Sequence, residues 1–441
     1  MDYCKVLIFG QTFNNKHGGG ITLTNLFKGW PKEKIAVADT GHMMYDVTTD
    51  VCSTYYQLGI EEFRWRFPFA LLQKKFPSGL KSFGEVTGES SEEENTGFRY
   101  ALVNRIFYPS LHWLGMFHCV SKMRMSPRFK KWLSEFKPDV LYIQVTTRET
   151  LLFVSELLDY LRIPSAIHIM DDWPSTISKR GLLKAYWRKI IDKEFRTLLN
   201  KVNLHLSISD AMSDEYKDRY GMEFIAFHNP FDAELWLPYT KKDFAINKDD
   251  VKILISGRIG INGIAESLVE VASAIETMNT IGLTIRLYIQ TPTKDNSILD
   301  QLKKFKCVVI NPFADYSSIP GIFSNADILM LANDFNFQGI NYLRFSMPTK
   351  ASEYMISGTP VVVYSSGMAA VSRFFSQNEC GYCVTKQSKE EIVKAILLLI
   401  ENEDLRKDLS TKAVQVAQDR FDAANVRRQF KNLIVNLDKN R

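Results

Sequence analysis

Four stretches of this chain combine residue types and spacings that could do chemistry. Phe9-Gly-Gln-Thr-Phe-Asn-Asn-Lys-His-Gly-Gly-Gly-Ile21 brings three glycines, Gly18, Gly19 and Gly20, ahead of a helical pattern. Backbone N–H groups there can approach an anion closely, and a helix dipole adds attraction; a flexible turn is the alternative. The spacing is neither GxGxxG nor that of a P-loop. In Ile255-Ser-Gly-Arg-Ile-Gly-Ile-Asn-Gly263, Arg258 falls just past a strand, at the edge where open α/β sheets bind ligands, and its guanidinium can grip a phosphate bidentately.

The third stretch, Phe345-Ser-Met-Pro-Thr-Lys-Ala-Ser-Glu-Tyr-Met-Ile-Ser-Gly-Thr-Pro-Val-Val-Val363, reads as a helix followed by a buried strand. Ser346 is expected as its N-cap and Pro348 as an early helical position, with Gly358 ending it. Lys350 and Glu353 share one face. A helix start with a lysine beside it suits a diphosphate, and the glutamate a ribose diol; a surface ion pair is the other reading. The fourth stretch, Ile167-His-Ile-Met-Asp-Asp-Trp-Pro174, runs from a strand into a turn, with His168, Met170 and Asp172 alternating onto one face. Unpaired buried carboxylates are costly, so Asp171 and Asp172 are expected to hold the hydroxyls of a ligand, with His168 joining them as a catalytic group. A histidine satisfied in the core is the alternative for His168.

The elements that would position these groups alternate. Strands are expected at Lys5–Phe9, Lys34–Ala38, Asp139–Val145, Ser165–Met170 and Asn203–Ser207, then at Val251–Ser256, Thr284–Gln290, Cys307–Ile310, Asp327–Leu331 and Pro360–Tyr364. Amphipathic segments such as Ser267–Met278 and Glu390–Ile400 lie between them. Near-continuous apolar strands joined by helices imply parallel sheets covered on both faces. The rhythm runs twice, broken near Asn229–Asp250, so the fold class expected is α/β with two Rossmann-like doubly wound lobes facing across a cleft. The domains expected are residues 1–230, 231–420 and a final helix at 421–441.

The chain has 441 residues, with 55 Lys and Arg against 50 Asp and Glu, a formal net charge of +5. That excess is too small to make nucleic acid the partner. The six scattered cysteines suit a reducing cytoplasm, and Cys380-Gly-Tyr-Cys383 lacks the second pair that a zinc site would need. No metal-ligand spacing is present, so no metal and no cofactor are expected. The sequence opens on MDYCKVLIFG with no signal-peptide pattern, and Ile106–Ser121 is shorter than the ~20 residues of a membrane span. The expected location is cytoplasmic, peripheral on the inner face of a membrane. Gly84–Gly97, rich in glycine and glutamate, is expected to be a mobile surface loop. Arg99–Lys131 is basic and free of acids, with aromatics interleaved; it reads either as a helix pair with a solvated basic face or as a face resting on anionic lipid.

On these residues the chain resembles glycosyltransferase family 4, of the GT-B fold. Glu353-Tyr-Met-Ile-Ser-Gly-Thr-Pro-Val-Val matches the family's C-terminal signature, and the glycine-rich first turn, Ser256-Gly-Arg258 and His228-Asn-Pro230 follow in order. The resemblance implies a retaining sugar transfer from a nucleotide-diphosphate sugar held in the C-terminal lobe to an acceptor in the N-terminal lobe. The acceptor expected is a saccharide, lipid-linked, as in bacterial surface polysaccharide synthesis. It also implies that Glu353 binds the ribose and Arg258 the diphosphate; Lys350, Thr349, Asn229, Gly19 and Gly20 are further expected on the donor. The departures are specific. The first glutamate of the family's paired motif falls on Phe345, and Ser346 and Pro348 stand where glycines are usual. Asn262 and Gly263 stand where a lysine would follow Arg258. Lys350 is expected to supply that missing charge from the other side of the cleft. Aligned on Trp173-Pro174, the family's His-Asp pair falls on Met170 and Asp171. Two rivals remain: a nucleotide-sugar epimerase on a similar fold, and a non-catalytic partner that binds sugar nucleotide without turnover.

Overall fold

The computed structural model describes residues 2–15, 18–44, 47–67, 69–71, 73–83, 105, 107–177, 181–260, 263–293 and 297–439. Gly84–Gly97 and the start of the basic segment at Arg99 therefore lie outside the described residues. The chain divides into two compact units: Met1–Phe227 with Arg427–Arg441, and His228–Val426.

In unit 1 the strands are β1 (Val6–Phe9), β2 (Ile35–Thr40), β3 (Thr54–Leu58), β4 (Phe63–Trp65), β5 (Gly79–Lys81), β6 (Ser121–Met123), β7 (Val140–Ile143), β8 (Ser165–Ile169), β9 (Leu204–Ser207) and β10 (Ile225–Ala226). Eight of them form one sheet in the order β10-β9-β8-β7-β1-β2-β3-β5. All its pairings are parallel except β3 with β5. β4 and β6 make a separate antiparallel pair. The strand order reverses between β1 and β7, the switch point where open sheets accept ligands. The last helix, Ala423–Lys439, belongs to this unit from Arg427 on. Its Phe430 is buried against Phe27, Tyr142 and Phe227, and Arg427 Nε donates to the Asn25 carbonyl at 2.8 Å.

Unit 2 holds β11 (Val251–Ser256), β12 (Ile285–Thr291), β13 (Val308–Pro312), β14 (Ile328–Ala332), β15 (Val361–Tyr364) and β16 (Tyr382–Val384). They pair in parallel, in the order β13-β12-β11-β14-β15-β16. Side chains alternate between two cores, as the strand period demands. Ile253 and Ile255 pack with the helix Ala265–Asn279, whereas Leu254, Leu329 and Leu331 pack with Tyr354 and Met355. Both faces being covered explains why the central strands, β11, β14 and β15, are largely apolar.

One expected element is shorter. The helix of the third stretch begins at Lys350, with Thr349 at the N-cap, and ends at Ile356. Ser346 is not its cap. The segment ahead of it is held by the incoming chain: His228 Nε2 donates to the Pro348 carbonyl at 3.2 Å and Asn229 Nδ2 to the Thr349 carbonyl at 3.4 Å. The Ser352 hydroxyl closes the set by donating to the Asn229 carbonyl at 2.9 Å.

Candidate functional site

The C-terminal edge of the second sheet, beside the reversal between β11 and β14, collects the cationic and acidic groups that spacing singled out. The chain leaves β11 through Ser256, Gly257 and Arg258. Gly257 adopts φ +135°, which only glycine holds without strain. Its N–H donates to the Gln290 carbonyl at 2.8 Å, and the Ser256 N–H donates to the Tyr354 hydroxyl at 2.8 Å. The turn is thereby pinned to β12 on one side and to the helix Lys350–Ile356 on the other. A Cβ at Gly257 would lie 1.8 Å from Lys350 Nζ. The ammonium group of Lys350 therefore rests directly on the glycine, next to Arg258 in the chain. Lys350 is in the same unit as Arg258, not across a cleft from it. Arg258 itself is exposed.

Glu353 follows one turn later. Its Oε1 accepts from the Tyr316 hydroxyl at 3.1 Å, so the surface ion pair with Lys350 that the spacing allows gives way to two separate contacts. Burial dominates both titrations. It pulls Lys350 down to about 8, against the pull of Glu353, and pushes Glu353 up to about 7, against Tyr316 and Lys350. Part of each side chain remains accessible, so solvent moderates both shifts. Near neutral pH, then, this edge presents a protonated lysine and a carboxyl close to its own titration point. Asp334, just past β14, holds the neighbouring loop: it accepts from Gly263 N at 3.2 Å and Ser267 N at 2.9 Å.

Asn229 and Thr349 meet in one bond, and the Asn229 side chain is buried. Asn229 therefore holds the segment before the helix, whereas Thr349 stands at the helix start with no capping bond from its side chain. Phe345 is buried, with the Arg344 guanidinium 5.0 Å from its ring centroid. The position on which the resemblance places a glutamate is apolar and enclosed in this chain.

The residues expected in unit 1 fare differently. Gly18–Gly20 form the first turn of the helix Gly18–Phe27. Gly20 is buried, and a Cβ there would lie 1.8 Å from Asn14 Nδ2. Close packing accounts for that glycine, while Gly19 keeps some exposure. His168 is 1 % exposed. Its Nε2–H donates to the Ser207 carbonyl at 3.2 Å and its Nδ1 accepts from the Tyr142 hydroxyl at 2.5 Å. Burial lowers its pKa to about 4, so the ring is neutral with both nitrogens engaged. That is a core histidine, and no ring nitrogen is left for catalysis. Asp172, 8 % exposed, takes the Arg219 guanidinium on both oxygens, at 2.8 and 3.3 Å, and the Tyr216 hydroxyl at 2.9 Å. Its carboxylate ties the β8 exit to the helix Asp210–Tyr220, so the expected role as a sugar ligand is replaced by a structural one. Asp171 alone of the three is exposed.

Sequence reasoning missed Tyr316, Tyr354 and Asp334. Tyr354 adjoins Glu353 and could have been read as its partner in the block. Tyr316 and Asp334 carry no local signal, because their roles come from contacts distant in the chain. Among the described residues no group of three or more His, Cys, Asp or Glu could hold a metal ion. No described helix is long and apolar enough to cross a membrane.

Residues 240–416 match the family profile of glycosyl transferases group 1. No curated protein matches the chain in sequence. Among solved structures, HepE of Anabaena, crystallised with UDP and glucose, is 13 % identical, with a TM-score of 0.61 over 98 % of this chain and 100 % of its own. Sucrose-phosphate synthase of Thermosynechococcus elongatus is 11 % identical, with a TM-score of 0.61 over 99 % of each chain. A glycosyltransferase of Rickettsia africae is 10 % identical, with a TM-score of 0.59 over all of both chains. The chain thus has the fold of GT-B glycosyltransferases, two Rossmann-like α/β units, and its second unit carries a group 1 glycosyltransferase domain.

Proposed function

We propose that this protein is a retaining glycosyltransferase of family 4 type. It moves a sugar from a nucleoside-diphosphate sugar to a saccharide acceptor, lipid-linked at the cytoplasmic face of a membrane, in surface polysaccharide synthesis. The observation that carries this reading is Lys350 Nζ seated on Gly257 beside Arg258, with Glu353 one turn on, at the ligand edge of the second sheet. Arg258 and Lys350 meet the diphosphate, which places charge neutralisation on side chains rather than on a metal ion. The free oxygen of Glu353 accepts from the ribose hydroxyls. Thr349 contacts the donor from the helix start, and Asn229 positions it. The likeness to a protein crystallised with UDP supports a nucleoside diphosphate as the bound group.

Unit 1 is assigned the acceptor, with the exposed Asp171 carboxylate meeting its hydroxyls. No enzyme nucleophile is assigned. The donor's own phosphate takes the acceptor proton, and the protein contributes orientation and stabilisation of the departing diphosphate.

The test is a thermal-shift screen against UDP, GDP, ADP and CMP sugars, followed by assay of diphosphate release. One donor class should raise Tm, since saturation at 100 times Kd stabilises by ~2.7 kcal/mol. No shift with any of them overturns the reading. Phe345, enclosed where the family has a glutamate, favours a second reading: a binding partner without turnover. Stabilisation by a donor with no product, across saccharide acceptors, would select it.

A further inference from the structure

We propose that unit 1 docks on an anionic lipid surface through a face assembled from two segments, Trp113–Met116 and Leu182–Tyr186. Trp113, Leu182 and Tyr186 are 58 %, 67 % and 55 % exposed, and Leu114, Met116 and Leu183 are exposed beside them. The segments interlock. Leu182 N–H donates to the Trp113 carbonyl at 2.8 Å, and a Cβ at Gly115 would fall 2.7 Å from Leu183 Cβ. Six large apolar side chains are thus held at the surface by backbone packing, an arrangement that water penalises and an apolar partner relieves.

The charge around this face selects the partner. Along the helix Lys184–Leu199, Lys189 and Lys193 fall at i+3 and i+7 from Tyr186, on the same side, and both are exposed, as is Lys184. The acids of that helix are engaged elsewhere: Asp192 pairs with Arg196 at 2.8 Å and Glu194 with Arg148. A second copy of this chain would bring the same cations together, so self-association is disfavoured. Leucine, tryptophan and tyrosine flanked by lysines match the acyl–headgroup boundary of an anionic leaflet. The sequence placed such a face on Arg99–Lys131 alone; tertiary packing adds the second segment. The inference builds on the lipid-linked acceptor proposed above, but its test uses no sugar nucleotide, so either can fail without the other.

The full chain is sedimented with vesicles of one part phosphatidylglycerol to two parts phosphatidylethanolamine, and with pure phosphatidylcholine. It should follow the anionic vesicles and be released by high salt. Leu182→Glu combined with Trp113→Glu should lower partitioning by about tenfold or more, and Lys189→Glu with Lys193→Glu should weaken it too. All four sites are exposed, so Tm should hold. Absence of binding to anionic vesicles, equal binding by the variants, or a dimer of the wild-type chain that Leu182→Glu dissociates would each overturn the proposal.

Discussion

The two sheets are wound alike, and each brings polar side chains to its C-terminal edge; they differ in how much of that chemistry is already consumed. At the first edge, His168 has a partner on each nitrogen and Asp172 has Arg219 and Tyr216 on its carboxylate. At the second, Arg258 is exposed, Lys350 lies against Gly257, and Glu353 spends one oxygen on Tyr316. A polar residue at a switch point is therefore not a site until its bonds are counted. Saturated groups hold loops in place, and those with bonding capacity left are the candidates for a ligand.

The largest expected effect would break that comparison if it failed. Asp172→Ala leaves Arg219 with Glu215 as its remaining carboxylate and the buried Tyr216 hydroxyl without its acceptor, which should cost ~3 kcal/mol of stability, read as a fall in Tm with donor affinity unchanged. A stable variant with lost turnover would return Asp172 to the reacting groups. Next comes Lys350→Ala, which should lower kcat/KM by ~10²-fold, the usual result of removing an electrostatic stabiliser.

The pH profile of the wild type sharpens the same point. An anion binds the protonated lysine, so the Lys350 contribution to donor affinity should be flat below pH 8. As pH rises through about 8, where burial places the Lys350 titration, affinity should fall by up to about tenfold per unit. Over the same range the Lys350 contribution to the stability of the free protein should rise, because the unfolded chain still binds that proton. Lys350→Ala should remove the bend in affinity; a bend that persists assigns it elsewhere. The smallest effect is that of Thr349→Ala. With no capping bond to lose, stability should change by no more than ~0.5 kcal/mol, while donor KM rises if the hydroxyl meets the ligand.

Much of the framework was legible because its causes are local. Val251–Ser256 is a strand with the bounds its β-branched run implies, and nine other expected strands lie within a few residues of theirs. β3 escaped notice because Thr-Tyr-Tyr-Gln-Leu mixes polar and aromatic residues, and β16 because three residues, one of them Cys383, carry too little pattern. The grouping of Arg258, Lys350 and Glu353 at one edge was legible from spacing against a strand end and a helix start. Tyr316 was not, since it meets Glu353 across 37 positions of chain.

The sequence by itself determined the alternation of strands and helices, the glycine at Gly257 and the grouping of Lys350 with Glu353 on one turn. These follow from side-chain branching, backbone sterics and helical period, which a short stretch of chain contains in full. Tertiary structure alone decided that Asp172 and His168 are bonding partners of the core, that the helix starts at Lys350 rather than near Ser346, and that Lys350 lies against Gly257. Each of those depends on desolvation and hydrogen-bond saturation between groups 26 to 120 residues apart, and such pairings exist only once the chain has closed on itself.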